Sequence, residues 1–117
     1  MSASNIDIGK LNKRITFQTL STESGDLGEK VKWKDYVTVW ATVKPYKSSE
    51  YNFMGKLKPE VTHRFYVRYR DDITPDMRIV YHGQTFNIAG YPLDMDEAHR
   101  MLEIQAERVF EGVKYSG

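Results

Sequence analysis

Val61-Thr-His-Arg-Phe-Tyr-Val-Arg-Tyr-Arg70, then Asp71-Asp-Ile-Thr-Pro-Asp-Met77, then Arg78-Ile-Val-Tyr-His-Gly-Gln-Thr-Phe86 is the stretch that decides the fold class. Its first part alternates. Phe65, Val67 and Tyr69 fall on one side, and Arg64, Tyr66, Arg68 and Arg70 on the other. A period of two is the mark of a half-buried strand, so the first set is expected in a core and the second outside. Asp71 to Asp76 carries Pro75 and three acids that favour local backbone bonding, so it turns the chain. Met77–Tyr81 and Gln84–Ala89 then form a hairpin through His82-Gly83. Gly supplies a positive φ there, and His tolerates it better than most residues.

The same reading extends outward. In Arg14–Leu20, Ile15 and Phe17 point one way, Thr16 and Gln18 the other. Ser21 to Gly28, with two glycines and acids, is expected to be a loop tip. Lys30–Trp33 is expected as a short strand and Tyr36–Lys44 as a longer one. In the longer strand Val37, Val39, Ala41 and Val43 share a face, and Tyr36, Thr38, Trp40 and Thr42 share the other. Bulk on both faces means burial on both sides, or a Trp40 face that meets another subunit. Pro45 ends this strand. Pro92–Arg100 reads as a charged loop, and Leu102, Ile104 and Ala106 mark the last strand. Six or seven short strands in one all-β domain close most naturally as a small antiparallel barrel or sandwich, which hides strand edges. We expect the barrel. Residues 1–10 are expected to be a flexible arm and 112–117 a frayed tail.

Bulk composition narrows the function classes. The 117 residues fit one domain. No cysteine is present, which excludes disulfides and thiolate metal sites. The 17 basic and 16 acidic side chains nearly cancel, to +1, which argues against a domain-wide DNA-binding field. No apolar run approaches a membrane span, and the first residues lack the apolar core of a signal peptide.

Catalytic and metal-binding patterns are missing from the sequence. His63, His82 and His99 have no ligand spacing and are expected to be structural. Asp71-Asp72 opens a turn, and Asp94, Asp96 and Glu97 lack the spacing and glycine of a calcium loop. Gly25 and Gly28 sit in an acidic hairpin rather than a phosphate loop, and no Ser sits in a nucleophile elbow. The expectation is a non-enzyme with no metal and no cofactor.

Two features suggest partners. Arg64, Tyr66, Arg68 and Arg70 interleave base and aromatic, a pattern that suits nucleic acid. The alternative is a solvated face paired with acids such as Glu103 and Glu107, or with another subunit. The second feature is the segment Tyr46 to Glu60, which lacks strand alternation and is long for a connection. Its residues run Tyr46, Lys47, Ser48, Ser49, Glu50, Tyr51, Asn52, Phe53, Met54, Gly55, Lys56, Leu57, Lys58. A short helix at Ser49–Met54, capped by Ser48 or Ser49, is one local option. Apolar groups among lysines invite a partner; a lid folded back on the core is the alternative.

In order and spacing these features resemble the head–tail joining (head-closure, or stopper) proteins of long-tailed bacteriophages. The matching pieces are Ile8 to Ile15, Trp33, Val39 to Pro45, Glu50, Glu60 to Arg64, Val67 to Arg70, Ile73 to Ile79, and His82 to Ile88. The resemblance implies a small β-barrel in the virion, made in the host cytoplasm. It implies a monomer when free that joins a ring of about twelve copies beneath the portal and its adaptor. Such a ring closes the head, retains DNA and docks the tail. Residues 46–60 would then be the channel loop that gates DNA, with Lys47, Lys56 and Lys58 meeting duplex phosphates without reading sequence. Trp40, Arg64, Tyr66, Arg68 and Arg70 would be subunit or partner contacts. The loop is more basic and aromatic than the family pattern. A tail-side joining protein, and a nucleic-acid-binding barrel using Arg64, Tyr66 and Arg68, are the competing readings.

Overall fold

Alternating apolar side chains must share one interior, and among the described residues six strands wrap around it. The computed structural model describes residues 10–25, 28–46 and 61–109. The strands are β1 (Lys13–Gly25), β2 (Gly28–Pro45), β3 (His63–Arg68), β4 (Arg78–Tyr81), β5 (Gln84–Ile88), β6 (Leu93–Asp94) and β7 (Met101–Val109). A one-turn 3-10 helix, Met95–Glu97, lies between β6 and β7. Neighbours run β3-β2-β1-β4-β5-β7, all antiparallel, and β7 also pairs with β3. That last pairing closes a six-stranded barrel, and β6 adds to β7 outside it. Closure removes the sheet edges within the barrel.

The interior is filled by the residues that the alternation selects. Ile15, Phe17, Phe65, Val67, Ile79, Phe86 and Ile104 are essentially inaccessible. Phe65 meets Phe86 edge-on at 5.1 Å between ring centres, a favourable aromatic geometry. Val37, Val39 and Val43 pack against this core from β2. Ile73 and Met77, on the β3–β4 connection, join the same cluster. The hairpin turn is as expected: His82 and Gly83 have φ of 52° and 72°, the left-handed pair of a two-residue turn.

Three local expectations need correction. Ser21 to Gly25 is strand, not loop, and Lys30–Trp33 and Tyr36–Lys44 are one strand. The turn glycines stand at the hairpin's end, where Gly25 pairs with Gly28. The break seen near Asp35 is a bulge: Phe17 pairs with Val37 and Gln18 with Asp35, so Tyr36 is the extra residue. A bulge interrupts periodicity without ending the strand. Finally, Pro92–Arg100 is not simply a loop, since it holds β6 and the 3-10 turn. Met95 gives the reason. It is buried with Met101 and Tyr66, with Leu11 packed against them, and so pins the charged segment to the barrel wall.

β4 reaches β1 only at Thr16–Gln18, and β3 reaches β2 only at Ala41–Pro45. The rest of the β1–β2 hairpin therefore stands beyond the barrel as a two-stranded arm. Leu20 opposes Trp33 on it, and Thr22 opposes Val31. Leu20 and Val31 are exposed.

Candidate interaction surfaces

β1, β2 and β3 lie side by side, so their outward residues form rows across the barrel wall. Arg14 on β1 is in register with Trp40 on β2. Ala41 is in register with Val67, which brings Trp40 beside Arg68 on β3. The Arg14 guanidinium sits 4.6 Å from the centre of the Trp40 ring, a cation–π contact. Trp40 remains 51% exposed. This settles its position: the indole lies on the outer wall, and the opposite face of β2 supplies the core.

A groove of about 640 Å³ opens along this row, its lining including Leu11, Arg14, Trp40, Arg68, Tyr69 and Arg70. Its arginines are held differently. Arg70 donates from Nε and Nη2 to the Asp72 carboxylate at 3.0 and 2.9 Å. The Tyr36 hydroxyl, re-aimed by the bulge, donates to the same carboxylate at 2.6 Å. The bonds from Arg70 and then Tyr36 hold the Asp72 carboxyl down at about 2. Asp72 in turn raises the pKa of both Tyr36 and Arg70. Asp72 is thus a structural clamp that ties Arg70 to Tyr36. Arg68 is exposed and has no ion pair among the described residues.

The four alternating residues of β3 do not act as one basic–aromatic face. Tyr66 was expected to face out, but it is only 5% exposed, because the Met95 turn folds over it. Burial raises its hydroxyl pKa. It cannot stack on a base without displacing that turn. Arg64 instead stacks on Tyr46, 4.3 Å from the ring centre, where β2 ends. Gln105 on β7, in register with Arg64, donates to the Tyr46 hydroxyl at 3.4 Å. Glu103 lies opposite Tyr66, and Glu107 opposite Asn87 on β5.

Tyr46 marks the root of the long segment. Its N–H donates to the Thr62 carbonyl at 2.9 Å, and the Thr62 N–H donates to Ala106. Both ends of the segment are therefore held side by side on one rim of the barrel. Lys47 to Glu60, including the candidate phosphate contacts Lys47, Lys56 and Lys58 and the optional Ser49–Met54 helix, lies outside the described residues. So do most of the N-terminal arm and the C-terminal tail.

The three histidines sit in structural settings. His63 packs edge-on against Phe86 at 4.7 Å, and burial, with Arg108 nearby, lowers its pKa. His82 is in the hairpin turn. His99 lies 3.6 Å from the Asp94 carboxylate and packs edge-on against Tyr69. No cluster of three or more His, Asp or Glu able to hold a metal occurs among the described residues.

The structure brings the candidates Trp40, Arg68 and Arg70 to one groove, and adds Arg14 and Leu11, which the sequence did not single out. Arg14 opens a strand of obvious alternation, and nothing local distinguishes it. The pairing of β1 with β2 makes it Trp40's neighbour.

Comparison with known proteins accounts for the architecture. Head completion protein gp16 of Bacillus phage SPP1 is 31% identical over 94 residues, covering 80% of this chain and 86% of that protein. The solution structure of protein SF1141 from Shigella flexneri 2a superposes with a TM-score of 0.74 at 35% identity, over 91% of this chain and 99% of that one. A chain from the virion of the native gene transfer agent particle shares the fold, with a TM-score of 0.59 at 20% identity over 84% of this chain and 94% of that one. Residues 6–109, which span the whole barrel, match the family of phage head completion proteins, and the chain belongs to that family.

Proposed function

We propose that this head completion protein acts as the closure ring of a DNA-filled phage head. Copies assemble at the portal vertex, retain the packaged DNA and present the surface on which the tail docks. Membership of the head completion family across the barrel carries the reading. Two features of the molecule support it. The exposed Trp40 wall gives a rigid barrel a surface that other virion proteins can cover. The Tyr46–Thr62 bond gathers both ends of the 47–60 segment at one rim. In a ring, symmetry would then set identical segments around one axis, where weak contacts close a channel together. Lys47, Lys56 and Lys58 would meet duplex phosphates there, independent of sequence. The partners are a portal or adaptor ring on one side and a tail or tail-completion protein on the other. The place of action is the virion, after synthesis in the bacterial host, and the role is structural rather than catalytic.

The test uses DNA-filled, tail-less heads that lack this protein. Added protein should co-sediment with the heads and make their DNA resistant to nuclease. Binding without protection would remove the plug role. No binding to heads, with binding to isolated tails, would move the protein to the tail side.

A further inference from the structure

We propose that the groove between Arg14, Arg68 and Arg70 receives an acidic peptide segment of a neighbouring virion protein, with an apolar side chain of that segment seated on Trp40. The proposal deepens the head-closure reading, from which it takes that the partner belongs to the virion and that copies of this chain form a ring.

Charge and shape both favour such a segment. Guanidinium groups from two strands and the turn after β3 surround one concavity, and no carboxylate lines it among the described residues. Guanidinium suits protein interfaces because it is weakly hydrated and binds carboxylates in a two-pronged geometry. Asp72 occupies two of the five N–H donors of Arg70 and fixes its direction, so the remaining donors are pre-positioned. Arg14 is held over the indole, and Arg68 is exposed. Leu11, Val39, Trp40 and Tyr69 offer apolar surface between the charges. A Trp flanked by Arg is the composition of an interface anchor. The volume, about 640 Å³, is that of a pocket which encloses a few side chains.

Two other occupants fit less well. Duplex DNA draws affinity from many phosphates along an extended basic surface, whereas this chain carries +1 overall and its arginines ring one hollow. A second copy would have to offer acids, and the Asp94, Asp96, Glu97 turn is the obvious source. That turn packs through Met95 against Leu11, which also lines the groove. Acids and groove thus share one side of the molecule. A pairing between them would be reciprocal and two-fold, and would not propagate a ring.

The experiment is a titration of the isotope-labelled full chain, followed by amide and indole N–H resonances. The main probe is a blocked synthetic peptide of about twelve residues, rich in Asp and Glu with one Leu and one Phe. The second replaces every acid by its amide, and the third is a short duplex DNA. The acidic peptide should give saturable shifts centred on Arg14, Trp40, Arg68 and Arg70, with the amide peptide weaker by roughly tenfold or more. Arg68→Glu, at an exposed position, should weaken binding by about tenfold, and Trp40→Ala by about fivefold. Lys32→Glu, the same charge change on the β1–β2 arm, should leave it unaltered. Unchanged spectra away from the substitution will show that each variant is folded. Three results would overturn the proposal: no saturation by the acidic peptide at millimolar concentration, equal binding of the amide peptide, or tighter binding of DNA at the same resonances. This readout is independent of the head-binding assay, so either can fail alone.

Discussion

Replacing Trp40 and Phe65 by alanine, in parallel, separates an interface aromatic from a core one. Phe65 is fully buried between Phe86 and Tyr81, so Phe65→Ala deletes a ring from a closed interior. Such truncations cost about 3–5 kcal/mol, transfer and cavity together. Trp40 is different, because 51% of it is already in water. Relative to alanine it covers roughly 60 Å², worth about 1.5 kcal/mol at ~25 cal/mol/Å², an upper bound since unfolded chains are not fully extended. Loss of the Arg14 contact adds about 0.5–1 kcal/mol. The total for Trp40→Ala is therefore at most about 2.5 kcal/mol, below the core substitution. Urea unfolding of both variants, followed by circular dichroism, gives the two numbers. Trp40→Ala should stay folded and yet lose binding to heads. A Trp40→Ala cost equal to that of Phe65→Ala would refute the reasoning, since it would require the indole to be covered in the monomer. So would a Phe65→Ala cost below about 1 kcal/mol.

Three further outcomes follow from the geometry. Replacing Lys47–Lys58 by a short Gly-Ser link should keep the melting transition within a few degrees, because the Tyr46–Thr62 bond and the β2–β3 pairing hold both ends, while nuclease protection of filled heads should be lost; unfolding of this variant would favour a core lid instead. The lowered pKa of His63 means that the unfolded chain binds a proton more readily than the folded one as pH falls through the ordinary histidine value near 6.5. Stability should therefore decline from pH 7.5 toward pH 5, and His63→Gln should flatten that part of the melting-temperature profile; an unchanged slope would exclude His63 as its source. Gly83→Ala should cost about 1 kcal/mol through its φ of 72° alone, as no atom lies within 4 Å of an added Cβ, and a neutral result in urea unfolding would contradict the turn geometry.

The local pattern of the chain determined much of this protein by itself. Alternation at Ile15 and Phe17, at Val37 to Val43 and at Phe65 and Val67 selected the core, because side chains two apart on a strand must share a face. His82-Gly83 announced its hairpin, since few residue pairs accept two positive φ values. Periodicity carries no information about what lies across the sheet, and the remaining features depend on that. A bulge at Tyr36 disguised one long strand as two and delivered a hydroxyl to Asp72. A single methionine in a charged stretch, Met95, buried a tyrosine that alternation had turned outward. The pairing of β1 with β2 and of β2 with β3 put Arg14, Trp40 and Arg68 in one row, although they are far apart in the chain. The choice of core residues follows from alternation between near neighbours in sequence, whereas barrel closure through β1–β4 and β3–β7 and the groove both depend on strand pairing and register, which only the closed tertiary structure decides.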